Sequence, residues 1–126
     1  MPAIDLVEET FVAAHPALVR ARVATPEFLR ELWPDLRLRV SEDRGREGLR
    51  FVVAGALTGT AEVWLEEWAD GVIVHLYLRA DPAGWGWAAR RALREQHHSR
   101  ATARLVLWQV KDELEAGRRP GQPARR

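Results

Sequence analysis

The stretch GTAEVWLEEWADGVIVHLYLRADP, residues 59–82, decides the fold. Apolar and polar residues alternate on both sides of Asp70-Gly71, a dipeptide that favours a tight hairpin turn. With these two residues as the loop, Leu65 faces Leu76, Val63 faces Leu78 and Glu67 faces Val74. On the other face Trp64 meets Tyr77, Glu62 meets Arg79 and Glu66 meets His75. One face is then aliphatic, and the other carries an aromatic pair and two charge-complementary pairs. The segment reads as an antiparallel hairpin with one buried side.

Towards the N-terminus the same logic extends the sheet. A three-residue loop, Ala56-Leu57-Thr58, sets Phe51 beside Val63 and Leu49 beside Leu65, so a strand over Leu49 to Ala54 shares the aliphatic face. Before it, Leu36, Leu38 and Val40 alternate with Arg37, Arg39 and Ser41, the period of a half-buried strand. Ile4 to Val12 is a further strand, rich in β-branched residues. Between these lie two short helices. Pro16 occupies a first helical turn, and Ala17 to Val23 continue it. Thr25 caps the second helix and Pro26 opens it. That helix ends near Trp33, because Pro34 disfavours helical geometry in the residue before it.

Towards the C-terminus, the loop DPAGWGW leads into a run from Trp87 to Ala116 without Pro or Gly. A helix of about 28 residues is on the order of 42 Å long. Its apolar stripe passes through Ala89, Leu93, Ala103, Leu107, Val110 and Leu114. The stripe needs a sheet to cover, and the aliphatic strand face needs a cover. The expected architecture is α+β: a curved antiparallel sheet wrapped around a long C-terminal helix, with two short helices after the first strand. The tail, GRRPGQPARR from Gly117, has no apolar anchor and reads as disordered.

Composition narrows the function classes. The 126 residues suffice for one domain, set here at residues 1–116, with residues 117–126 as its tail. No cysteine is present, which excludes disulfides and thiolate chemistry. No stretch approaches the roughly 18 apolar residues of a membrane span. The N-terminus carries acids where a signal peptide needs basic and apolar residues, so a cytoplasmic location is expected. The net charge of +1 gives no case for nucleic acid. It is unevenly spread: residues 1–86 hold 14 acidic and 9 basic side chains, and residues 87–126 hold 4 and 10. An acidic sheet and a basic helix attract one another.

The segment ETFVAAHPALVRARVATPEFLRELWP, residues 9–34, pairs a strand with a small-residue-plus-Pro helix start, a Thr-Pro helix start and a closing Trp-Pro. Together with the Gly-started hairpin of residues 59–82 and the long helix, it resembles the START-like, or SRPBCC, superfamily over about residues 4–116. Within it the chain is most similar to small bacterial proteins of the polyketide cyclase/dehydrase type. The resemblance implies a helix-grip fold with a cavity between sheet and helix, which in that superfamily takes lipids, polyketides, sterols and other apolar molecules. Only some members catalyse cyclisation or dehydration. About five strands are readable here, against seven in longer members.

On the long helix, Gln96 and Arg100 fall inside the apolar stripe, with Arg104 on its shoulder. A charge on that side must be paired, solvated or reaching outwards. One reading has Gln96 and Arg100 binding a carbonyl, enolate or carboxylate in an apolar pocket. The plainer one is an ion pair with an acid such as Glu9 or Glu31. Trp33, Trp85, Trp87 and Trp108 are candidates for lining a pocket mouth, or are ordinary packing residues. Phe51, Val63 and Leu76 supply the apolar wall. Trp64, Tyr77 and Trp68 belong to the outer face, as an aromatic cluster or a self-association patch. His97 is the histidine nearest the stripe. His97 and His98 are adjacent and point about 100° apart on a helix, unlike the i, i+4 spacing of metal ligands, so no metal is expected.

No catalytic motif or cofactor fingerprint is present, and no catalytic residue is assigned. Arg100, His97 and Tyr77 are nominal candidates for a cyclase/dehydratase. The reading adopted is a binding protein for a small apolar, lipid- or polyketide-like molecule, with no cofactor. An interaction module or homodimer with a filled interior is the remaining alternative. The architecture makes the long helix indispensable and the tail dispensable. Ending the chain after Ala116 should leave the melting temperature unchanged. Ending it before Arg104 should abolish cooperative melting, since each large side chain lost is worth about 1.5–3 kcal/mol against a total of about 5–15 kcal/mol.

Overall fold

The computed structural model describes residues 2–84 and 89–117. In chain order the elements are β1 (Ile4–Val12), α1 (Pro16–Val23), α2 (Pro26–Leu32), β2 (Leu36–Asp43), a 3-10 turn (Gly45–Glu47), β3 (Gly48–Gly55), β4 (Leu57–Trp68), β5 (Gly71–Pro82) and α3 (Ala89–Leu114). The sheet is antiparallel throughout, in the order β1-β5-β4-β3-β2. It is the expected helix-grip arrangement. Trp85, Trp87 and the tail from residue 118 lie outside the described residues.

Both short helices start as the sequence demands. His15 caps α1 through Nδ1, which accepts the Ala17 N–H at 3.1 Å. Thr25 Oγ1 accepts the Phe28 N–H at 3.1 Å at the start of α2. The helices bury Val19, Val23, Phe28 and Leu32 against the sheet.

The inside-outside assignment holds, but the register differs from expectation. Val63 lies opposite Leu76, Trp64 opposite His75 and Glu62 opposite Tyr77. The expected Trp64–Tyr77, Glu62–Arg79 and Leu65–Leu76 pairs are each displaced by two residues. Leu49 likewise faces Val63 and Phe51 faces Ala61. A shift of two leaves every side chain on its own face, since the strand repeat is two. Val63, Leu65, Leu76 and Leu78 are accordingly buried.

The hairpin shift has a local cause. The loop is Ala69-Asp70, with Trp68 paired to Gly71, and Ala69 takes a left-handed backbone with φ of 51°. Gly71 is already in β5. A Cβ there would stand 2.2 Å from the Val12 carbonyl oxygen and 2.8 Å from the Phe11 ring. Its glycine serves the close approach of β1, not the turn.

The helix stripe is also corrected at one end. Leu93 is 58% exposed, and the buried face of α3 is Ser99, Ala103, Val106, Leu107, Val110 and Leu114. α3 lies against β1, an edge strand, and closes that edge with side chains. Gln96 Oε1 accepts the Asp5 N–H at 3.3 Å, and Glu115 Oε2 accepts the Ala13 N–H at 2.8 Å. Lys111 Nζ donates to the Phe11 carbonyl at 2.6 Å.

The two turn assignments are separable by mutation. Gly71→Asn would be harmless at a left-handed turn position, but against the Val12 carbonyl it should cost about 1–3 kcal/mol in urea unfolding. Ala69→Gly should stabilise by up to about 1 kcal/mol, by relieving the left-handed alanine.

Candidate functional site

The inner face of α3 changes character along its length. From Ala103 to Leu114 it is aliphatic and fully buried. From Arg91 to Thr102 it presents Arg91, Glu95, His98, Ser99 and Thr102, and here a cavity of about 360 Å³ opens beside the sheet. The opposite walls are Leu32, Trp33, Pro34 and Asp35 from the end of α2, Leu36 from β2, Ala56 and Leu57 from the β3–β4 turn, and Leu78 from β5. Ser99 and Thr102 are short, and they leave space where aliphatic side chains pack further along the helix.

A second concavity of about 340 Å³ lies on the other side of Trp33, between α2 and the inner face of β2 and β3. It is lined by Leu29, Leu36, Leu38, Val40, Leu49 and Phe51, among others. Trp33 and Leu36 belong to both spaces. Trp33 is 3% exposed, and its Nε1 is buried with no hydrogen-bond acceptor among the described residues. Pro34 explains its position. Barred from helical geometry, Trp33 turns to φ −134°, ψ 71° and caps α2 while its ring stays inside.

The other residues singled out by sequence are dispersed. Arg100 and Arg104 meet at Glu8, an inward-facing residue of β1 whose side chain is only 12% exposed. Arg104 Nε donates to Glu8 Oε1 at 3.1 Å, and Arg100 Nε stands 3.6 Å from the same atom. The carboxylate under the helix is therefore Glu8, not Glu9 or Glu31. Gln96 is engaged with the β1 backbone. His97 and His98 are both exposed, and His98 stands at the cavity's rim. Trp108 is 63% exposed. Val63 and Leu76 are packed in the core, and Phe51 borders the second concavity. Of the described residues expected at a pocket, Trp33 and Phe51 are thus the two that border these spaces. Leu57, Ser99 and Thr102 give no signal in the sequence, because each looks like an ordinary core or small helix residue.

The outer face carries a separate cluster. His75 stacks on Trp64 with centroids 4.3 Å apart, and lies parallel to Tyr77 at 6.1 Å. Its Nε2 is 3.0 Å from Glu66 Oε1 in hydrogen-bonding geometry. Its Nδ1 is 3.0 Å from Glu9 Oε2 but out of line for a hydrogen bond. Burial, then the charges of Glu62, Glu9 and Glu66, push the Tyr77 hydroxyl above the usual phenol range. Trp68 lies apart from this stack, edge-on to Phe11 at 5.9 Å.

Among the described residues no cluster of three or more His, Asp or Glu is arranged to hold a metal. No described helix is long and apolar enough to cross a membrane.

The fold has known counterparts. The Aha1 dimer from Colwellia psychrerythraea superposes with a TM-score of 0.65 at 14% identity, over 92% of this chain and 99% of that one. DR_A0006 from Deinococcus radiodurans gives the same score and identity over 90% and 98%. At such identity the likeness speaks for the fold, and the helix-grip fold is the one that the resemblance to START-like proteins implied. No protein-family model matches the sequence, and no curated protein matches it.

The two arginines at Glu8 should back one another up. Arg100→Met alone should lower stability by less than about 1 kcal/mol, because Arg104 still holds the carboxylate. Removing both leaves a largely buried carboxylate unpaired, and urea unfolding should show a loss of about 3–5 kcal/mol.

Proposed function

We propose that the protein binds a small apolar molecule, lipid-like or polyketide-like in character, in the cavity between α3 and the sheet. The observation that carries this reading is a space of about 360 Å³ whose sheet side is walled by leucines and a tryptophan, with Arg91, Glu95, His98, Ser99 and Thr102 along α3 and Asp35 opposite them. Ligand sites run from about 300 to 1,000 Å³ and are mostly apolar with a small number of placed polar groups. The volume lies near the lower end of that range. It suits a molecule of one or two rings or a short acyl chain.

The division of labour reflects the walls. Leu32, Leu36, Leu57 and Leu78 offer apolar surface, and Ser99 and Thr102 offer hydroxyls from the helix. Phe51 and Leu38 extend the apolar surface beyond Trp33 for a longer ligand. Arg100 and Arg104, held at Glu8, act as struts between helix and sheet.

Two measurements test the reading. Native mass spectrometry of protein purified without detergent should show a co-purified molecule, or N-phenyl-1-naphthylamine should bind with enhanced fluorescence. Thr102→Trp, which projects a ring into the cavity from α3, should weaken the probe by about tenfold or more, the equivalent of about 1.5–3 kcal/mol of apolar burial. An unaltered melting temperature with unaltered probe affinity in that variant would remove the cavity as the site.

A further inference from the structure

Apart from the cavity at α3, the sheet offers a second surface: we infer that the β2 edge takes an extended peptide segment in which acidic and apolar residues alternate. β2 ends the sheet with a neighbour on one side only, so about half of its backbone N–H and C=O groups face outwards. The opposite edge, β1, is closed by α3, whereas among the described residues β2 packs chiefly against β3. Its regular stretch runs from Leu36 to Val40, before the irregularity at Ser41. Leu36, Leu38 and Val40 line the groove of about 340 Å³ beside α2, and Val40 is still 49% exposed. Arg37 and Arg39, which alternate with them, stand in solvent on the outer face.

The chemistry of the partner follows from that alternation. A strand added to an edge presents its side chains to the same two faces as its neighbour. Those on the inner face lie beside Leu38 and Val40 and are favoured when apolar. Those on the outer face lie beside Arg37 and Arg39 and are matched by carboxylates. Neither arginine has an ion-pair partner among the described residues. The acids at the far end of β2 are already engaged: Glu42 lies 3.4 Å from Arg44 and 3.6 Å from Arg50, and Asp43 lies 3.1 Å from Arg20. The charged side chain that lines the groove, Arg30, has the same sign as the two on the strand. A second copy of the chain fits less well. Two-fold antiparallel pairing of β2 with itself, centred on Arg37, Leu38 or Arg39, sets arginine opposite arginine every time, and like charges so placed repel.

Three capped heptapeptides, titrated against the full chain at low salt, test the inference. One alternates glutamate with valine, one alternates lysine with valine, and the third gathers the glutamates and valines of the first into two blocks. The alternating acidic peptide should bind about tenfold more tightly than the basic one, and more tightly than the block peptide. On binding, hydrogen exchange should slow at amides between Leu36 and Val40. Arg37→Glu combined with Arg39→Glu changes two exposed side chains outside the core, and should reverse the order of the acidic and basic peptides. Should that variant fold poorly, the wild-type affinities and exchange pattern decide alone. Equal affinity for acidic and basic peptides overturns the proposal, as does failure of every peptide to bind at millimolar concentration. Slowed exchange elsewhere with β2 unchanged overturns it as well. A dimer of the peptide-free chain whose dissociation frees the β2 amides gives the edge to a second copy, and overturns it likewise. These outcomes are read at β2 and leave the ligand reading of the cavity at α3 to its own test.

Discussion

The seating of α3 on the sheet is the contact on which the rest of the molecule depends. Its C-terminal half packs Ala103, Val106, Leu107, Val110 and Leu114 into a core shared with all five strands. Its N-terminal half carries Arg91, Glu95, His98, Ser99 and Thr102 around the cavity, the last two too short to fill the space a leucine would and the first three polar at their ends. One helix therefore both closes the core and leaves a cavity, and the boundary falls where its inner face turns from aliphatic to short and polar. The same helix seals the β1 edge through Gln96, Lys111 and Glu115, so the sheet gains its cover and loses an exposed edge in one contact.

Charge completes the seating. Glu8 belongs by alternation to the inner face of β1, where a carboxylate without a partner would be costly. Arg100 and Arg104, one turn apart on α3, arrive above it. The conflict between an apolar pattern and charged residues, visible on the helix, has a matching conflict on the first strand, and the two resolve each other. Ion pairs around one largely buried carboxylate contribute little net stability over an apolar contact, but they penalise any sliding of α3 that would leave Glu8 alone. That penalty helps to hold α3 at one height along β1, and with it the position of the cavity.

The fold is legible in the sequence because strand alternation and helix starts are local signals. Pro16, Thr25, Pro26 and Pro34 mark the short helices within a residue or so of their observed bounds. Alternation assigns Val63, Leu65, Leu76 and Leu78 to the inside even though the pairing is displaced by two, since such a shift is silent in the pattern. Gly71 misleads because a glycine next to an aspartate reads as a turn, while the strand that crowds it lies about 60 residues earlier in the chain. The cavity is less legible for the same reason. Its walls come from the α2–β2 junction, the β3–β4 turn and α3, and no spacing in the sequence links Leu57 to Ser99. Counting about 3.6 residues per turn puts Leu93 in the stripe. The buried face runs instead through Ser99, which a hydrophobicity pattern passes over.

Trp33 is where the local and the distant meet. The Trp-Pro pair ends α2 because proline excludes helical geometry from the residue before it, and that exclusion is a property of two adjacent residues. Its consequence reaches much further along the chain. The bend carries the backbone from α2 into β2, and it leaves the indole between helix, sheet and α3, where it borders two spaces at once. A phenylalanine would end the helix equally well but would fill less of the space between the two concavities. The indole adds to it a second fused ring and an N–H, and that N–H is buried without an acceptor among the described residues. The stop signal of a short helix and the partition between two concavities are thus one residue, and only the second of these roles calls for a ring as large as that of tryptophan.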